Sequence, residues 1–285
     1  MQTPGNLQKE HYEAIHDDYE SHYYDDESMA YRERFYYAPL FAGLDLNHCT
    51  VADIASGSGH NSLALLRRFP NARVTGFEIS TAACEAFRRN VGQPCIETDL
   101  TRPLSATPGE FDVAMIFGGL HHCIANLPVV FQNIAHLVKA GGLVLMVEPN
   151  REFVLDWVRR LWYRVDKYFD SVNERALKHS ELLAEAAPYF SLVNVAYYGG
   201  PGYFLISQSL VFRLPKPVKT AITPGLIAIE SLFNVVPGKL GHPYFVARWM
   251  RTQVPRITGG DVVGITVGGH KIKRNFDARL CDSGR

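Results

Sequence analysis

Between Val51 and Pro149 the chain sets out five short apolar runs with three stretches of helical period among them. VADIA (Val51–Ala55) reads as a buried strand and HNSLALLRRFP as a helix ended by Pro70. ARVTGFEIS is a second strand, followed by TAACEAFRRNV, a helix opened by a Ser80/Thr81 cap. PCIETDL and FDVAMIFGG give strands three and four, LPVVFQNIAHLVKAGG a helix closed by Gly141 and Gly142, and LVLMVEP strand five. Strands separated by helices must pair in parallel through right-handed crossovers. The wholly apolar runs Val113–Phe117 and Leu143–Val147 require a sheet covered on both faces.

The pattern loosens after Pro149. REFVLDWVRRLWYRV and SELLAEAAPYF read as helices, SLVNVAYYGG as a sixth strand and PYFVARWM (Pro243–Met250) as a seventh. VKTAITPGLIAIESLFNVV is a helix or a helix pair around Pro224. The sum is an α/β chain with a doubly wound, seven-stranded, mostly parallel sheet. Ahead of it, residues 1–45 are dense in tyrosine and acids and predict a helical lid, broken near Asp25–Asp26 and stopped by Pro39. The sheet domain spans 46–250, with a helical cap at 151–240, and the tail 251–285 has no clear period and is expected to be disordered at its end.

Length and charge narrow the function. A chain of 285 residues with no net formal charge can bury a large core but lacks the basic excess of a broad nucleic-acid surface. Five single cysteines, none in a CxxC pair, suit free thiols in a reducing compartment and give no metal site. No secretory leader opens the sequence, so the expected location is the cytoplasm.

The chemistry concentrates at strand ends. Asp53 closes strand one, and ASGSG (Ala55, Ser56, Gly57, Ser58, Gly59) follows before the next helix. A loop between a parallel strand and a helix lies on the carboxyl edge, where open α/β sheets bind ligands. Its small residues let backbone approach a flat or extended ligand. A dinucleotide site would want a third glycine where Ser62 stands, and Asp53 would repel a diphosphate. A cationic amino-acid ligand suits the acid better, and a tight structural turn is the third reading. Glu78 closes strand two, where an acid takes ribose hydroxyls. Asp99 closes strand three, placed to accept from an adenine amino group.

With these residues in view, the chain resembles the class I S-adenosylmethionine-dependent methyltransferases. VADIASGSG is similar to their first motif, GFEIS to their ribose-binding strand end and ETDL to their adenine-side acid; FDVAMIFGGLHH and LVKAGGLVLMVEP are similar to their fourth and fifth strands. The resemblance covers about Val51–Asn150 strongly and extends more weakly to Met250. It departs at Ala55, where the family more often has glycine and an alanine calls for negative φ. It implies S-adenosylmethionine as cofactor and S-adenosylhomocysteine as product. Asp53 and Ser56–Gly59 would hold the methionine part, Glu78 the ribose, Ile79, Asp99 and Leu100 the adenine. Phe117 and Gly118 would line the sulfonium end.

Methyl transfer is an in-line displacement, so an oxygen or nitrogen acceptor often needs a base. His121 and His122 follow strand four and Glu148 ends strand five; their carboxyl ends are neighbours in this topology. Imidazole accepts a proton near neutral pH, and a carboxylate can orient it. Tyr19, Tyr23 and Tyr24 could turn their faces to a sulfonium, the alternative being an amphipathic helix packing its aromatic side on the core. Substrate choice is assigned to the apolar cap, with Trp162, Tyr163, Tyr168, Phe204, Phe212 and Phe233. Arg213, Lys216 and Lys219 among apolar residues permit peripheral membrane contact. The expected function is methyl transfer to a small-molecule or lipid-linked acceptor, at oxygen. The alternatives are a carbon methyltransferase of quinone or isoprenoid acceptors, a non-catalytic S-adenosylmethionine-binding regulator, and a nicotinamide oxidoreductase.

Overall fold

The computed structural model describes residues 23–105, 107–165, 175–212 and 214–252. Seven strands form one sheet: β1 (Thr50–Ile54), β2 (Arg73–Glu78), β3 (Cys95–Glu97), β4 (Phe111–Phe117), β5 (Val138–Pro149), β6 (Phe190–Tyr198) and β7 (Tyr244–Arg251). Their order is β3-β2-β1-β4-β5-β7-β6. The β1, β2, β3, β4 and β5 pairs are parallel, and β7 runs antiparallel to both β5 and β6. The strand order reverses between β1 and β4, which opens the crevice where such sheets take ligands.

Period-two alternation sends neighbouring residues to opposite cores. Val51, Val113, Met115, Leu143 and Leu145 join one cluster, and Ala52, Ile54, Ala114, Ile116 and Met146 the other. The first face is covered by the N-terminal segment and by α3 (His60–Arg68) and α4 (Thr81–Val91); the second by α5 (Leu127–Leu137) and α7 (His179–Ala186). Both faces are therefore dry, as the apolar runs require.

The N-terminal segment is continuous where a break was expected at Pro39. α1 (Asp26–Arg32), capped by Asp25, passes through a π-turn (Glu33–Tyr37) into α2 (Ala38–Phe41). In the π-turn the Ala38 N–H reaches back five residues to Glu33. This offset accommodates the missing N–H of Pro39, and the Phe35 carbonyl accepts from the Tyr244 hydroxyl at 3.3 Å. Two other expectations are corrected, and one open alternative is resolved. α5 ends at Leu137, and Gly141 and Gly142 lie inside β5, because a Cβ at 142 would come within 2.6 Å of the Asp112 carbonyl on β4. The Pro224 segment is one helix, α9 (Lys216–Phe233). Cys84, Cys95 and Cys123 are free thiols, but Cys49 is disulfide-bonded.

Two further helices complete the fold: α6 (Asp156–Val165) leaves the end of β5, and α8 (Ser209–Phe212) follows a π-turn at Tyr203–Ser207. Phe204 stacks on Phe153 at 5.9 Å and Phe233 packs over Gly200, so these two aromatics fasten the late segments together. Tyr168, Arg213 and the tail after Thr252 lie outside the described residues.

Candidate active site

The loop Ala55–Gly59 is built around two buried acids. Asp53 is 1% exposed; its Oδ2 accepts from the Ser62 hydroxyl at 2.5 Å, and its Oδ1 has no hydrogen-bond partner among the described residues. Burial holds this carboxyl well above the usual carboxylate range, opposed by Ser62. Glu78 binds the loop from the next strand: Oε2 accepts from the Gly57 N–H at 2.9 Å, and Oε1 from the N–H groups of Ile79 and Ser80 at 2.8 and 3.0 Å. A carboxylate has about four lone-pair sites, so one remains for a ligand hydroxyl.

The loop's small residues serve different ends. Ala55 adopts φ +53°, the left-handed conformation that glycine would take without cost, which corrects the expected negative φ. Its Cβ fits only because residue 119 is glycine: a Cβ there would lie 2.8 Å away. Gly57 is also left-handed, at φ +52°. Gly59, expected to admit a ligand, instead admits α4: a Cβ would strike Val91 at 2.3 Å and Phe87 at 2.9 Å. Ser56 and Ser58 are buried, with Ser56 Oγ 3.7 Å from Cys95 Sγ and the Ser58 carbonyl accepting from Asn90.

Asp99, at the β3 edge, accepts from the Thr101 N–H and hydroxyl and pairs with Arg102 at 3.2 Å. Leu100 is buried and Ile79 half-buried. At the end of β4, Phe117 is half-buried and meets the Tyr37 ring edge-on at 5.4 Å. Gly118 is left-handed, and a Cβ there would sit 3.4 Å from Cε1 of His121.

His121 and Glu148 do converge. Nδ1 of His121 lies 2.9 Å from Oε2 of Glu148, which is fully buried, while Oε1 accepts from the N–H groups of Gly119 and Leu120 at 2.9 and 2.8 Å. Neighbouring parallel strands β4 and β5 bring these ends together. The His122 ring lies tilted against that of His121, centroids 4.0 Å apart. The nearby Cys123 thiol is pushed up to about 12 by burial and by the Glu148 charge, which disfavours its thiolate.

Sequence reasoning missed what the N-terminal segment contributes. Tyr37 donates to Asn61 Oδ1 at 2.7 Å at the head of α3. Arg32, almost fully buried, lies over the Tyr24 and Tyr36 rings at 4.7 and 5.3 Å. Tyr24 stacks on His60 at 4.2 Å, so it meets a histidine and a guanidinium. Tyr23 is buried, and Tyr19 lies outside the described residues. The helical spacing of Arg32, Tyr36 and Tyr37 was a signal, but it carried no register relative to the sheet.

Residues 51–142 match the family model of the methyltransferase domain. Over that stretch the chain carries a methyltransferase domain, on a class I fold. Solved structures share its fold. A SAM-dependent methyltransferase of Thermotoga maritima, a candidate histamine N-methyltransferase, is 18% identical with a TM-score of 0.56, covering 85% of this chain and 99% of that one. The [4+2]-cyclase SpnF is 13% identical, TM-score 0.60, covering 88% and 97%. A candidate sarcosine dimethylglycine methyltransferase of Galdieria sulphuraria is 11% identical, TM-score 0.54, covering 79% and 86%. Class I methyltransferases use S-adenosylmethionine as methyl donor. The methyltransferase site fits it: the partnerless Asp53 oxygen suits an ammonium group, and the remaining Glu78 lone pair suits a ribose hydroxyl.

Proposed function

We propose that the protein transfers the methyl group of S-adenosylmethionine to an oxygen atom of a small-molecule or lipid-linked acceptor, with His121 as base and Glu148 as its orienting group. The observation that carries this is the 2.9 Å contact between His121 Nδ1 and a Glu148 carboxylate whose other oxygen is fixed by two backbone N–H groups. A carboxylate facing Nδ1 holds the proton there and leaves Nε2 able to accept one. In this reading Asp53 and Ser56–Gly59 hold the amino-acid end, Glu78 the ribose, and Ile79, Asp99 and Leu100 the adenine. Phe117 and Gly118 border the sulfonium. The bound donor supplies an electrophilic methyl; the chain supplies position and a proton acceptor. Residues 1–45 act as the lid and 151–240 as the cap over the acceptor.

A second reading is favoured by the same contact. Glu148 already satisfies Gly119 and Leu120, so the pair also serves to hold the β4 end, as it would in a protein that binds the donor without turning it over. One experiment separates them. Purified protein is given S-adenosylmethionine labelled in the methyl group and a cell extract. The proposal expects S-adenosylhomocysteine and a labelled small molecule, both lost when His121 and His122 become alanine while S-adenosylhomocysteine binding survives. Tight binding with no turnover in any extract supports the second reading.

A further inference from the structure

Helices α6 and α9 bury charged side chains and leave apolar ones exposed. On α6, Asp156 and Arg159 turn inward, and Arg159 donates to the Pro243 carbonyl at 2.9 Å. Trp157 and Leu161 point outward and are 58% and 56% exposed. On α9, Lys219 and Glu230 are 1% and 0% exposed while Leu232 is 74% exposed. The buried charges have partners: Lys219 meets Asp25, Ser28 and Ser209, and Glu230 accepts from Tyr31, Gly200 and Gly202. A helix on a water-facing surface normally shows the opposite pattern.

The two inverted faces adjoin. The Val154 N–H bonds the Leu240 carbonyl at 2.9 Å, and Lys239 pairs with Glu152 at 2.6 Å. Most of the exposed large apolar side chains among the described residues fall in these two segments, 154–161 and 229–240. Val235, at 78%, is the most exposed of them. Such a contiguous patch marks an interaction surface.

Charge selects the occupant. Arg151, Arg160, Lys216 and Lys239 are exposed; Arg160 pairs with Asp156 and Lys239 with Glu152, which leaves a cationic excess of two on these segments. A second copy related by a twofold axis would set this cationic rim against itself. An anionic lipid surface complements both the rim and the apolar centre, with tryptophan at the boundary. No helix among the described residues is long and apolar enough to cross a bilayer, so the mode is adsorption.

We infer that α6 and the α9–β7 segment form a docking surface for an anionic membrane, set beside the active-site rim. Only Pro149 separates Glu148 from Asn150, whose side chain bonds the Lys239 and His242 carbonyls and so joins the site to the patch. The surface stands on this geometry; that the methyl acceptor is a membrane-borne amphiphile rests on the function proposed above.

The test uses the full chain in co-sedimentation with vesicles of phosphatidylcholine alone, or with about one quarter phosphatidylglycerol. The expected result is partition onto the anionic vesicles, weakened by high salt and lowered at least about tenfold in the Trp157→Glu/Val235→Glu variant. Both positions are exposed, and S-adenosylhomocysteine titrated into both proteins by calorimetry reports that the variant is folded. Failure of that titration in the wild type sinks the function but leaves the vesicle result standing. Wild-type protein that ignores both vesicle types overturns the inference. So does equal binding by the variant, or a wild-type dimer in sedimentation velocity that the variant abolishes.

Discussion

Glu148 Oε1 accepts from the backbone of Gly119 and Leu120 while its Oε2 meets His121 Nδ1 at 2.9 Å. One fully buried carboxylate thus fixes the turn after β4 and the ring that follows it. The division of its oxygens makes the pair sensitive to a single-atom change.

Glu148→Gln should inactivate through the tautomer. The amide oxygen still has to satisfy Gly119 and Leu120, so the NH₂ group faces Nδ1 and donates to it, moving the imidazole proton to Nε2. In the proposed reaction kcat should fall about 10²–10⁴-fold, with KM and S-adenosylhomocysteine affinity nearly unchanged. Initial-rate kinetics beside calorimetry check the split; an equal loss in binding would assign Glu148 to the donor site alone.

Asp53 should make stability fall as pH rises. Its folded pKa is raised, chiefly by burial, so between the ordinary value of 3.8 and the folded value the native state binds more protons than the unfolded one. The slope is then negative, each displaced unit contributing about 1.4 kcal/mol. Asp53→Asn removes that slope. Urea denaturation from acid to neutral pH should show the variant gaining on wild type above the ordinary value, and losing affinity for the cationic ligand.

The Ala55–Gly119 contact should show coupling. Gly119→Ala places a Cβ 2.8 Å from Ala55 Cβ and 3.1 Å from Ile116 Cγ2, an overpacking that costs about 1–3 kcal/mol. Ala55→Gly relieves the left-handed strain and should be neutral or stabilising by about 1 kcal/mol. Combined, the second change should recover part of the first, measured as an interaction energy in a denaturation cycle.

Lys219→Met should destabilise by about 3–5 kcal/mol, because it leaves Asp25 without its partner in a nearly closed site. Asp25→Asn in the same chain should restore part of this. Urea midpoints at constant m-value read both effects, and an unchanged midpoint would show that the N-terminal segment docks without the pair.

The β-strands and their ligand edge were legible because strand pattern is local. Each apolar run, its following helix and the closing acids Asp53, Glu78 and Asp99 lie within one contiguous stretch, and parallel topology then orders their ends. The helix end at Leu137 was not legible, since β5 passes through Gly141 and Gly142 between two pairs with β4, Val138 with Phe111 and Leu143 with Val113. Nor was the π-turn that carries the N-terminal segment past Pro39.

By itself the sequence determined the alternating α/β order, the seven strands and the small-residue loop framed by acids, all of which follow from periodicity and residue size. Only the tertiary structure decided which oxygens of Asp53, Glu78 and Glu148 are occupied, that Ala55 turns left-handed against Gly119, and that α6 and α9 bury charged side chains while leaving apolar ones exposed. Those outcomes depend on partners distant along the chain, such as Tyr31 with Glu230 and Asp25 with Lys219. Amphipathic spacing says that a helix has two faces; only packing says which one meets the protein.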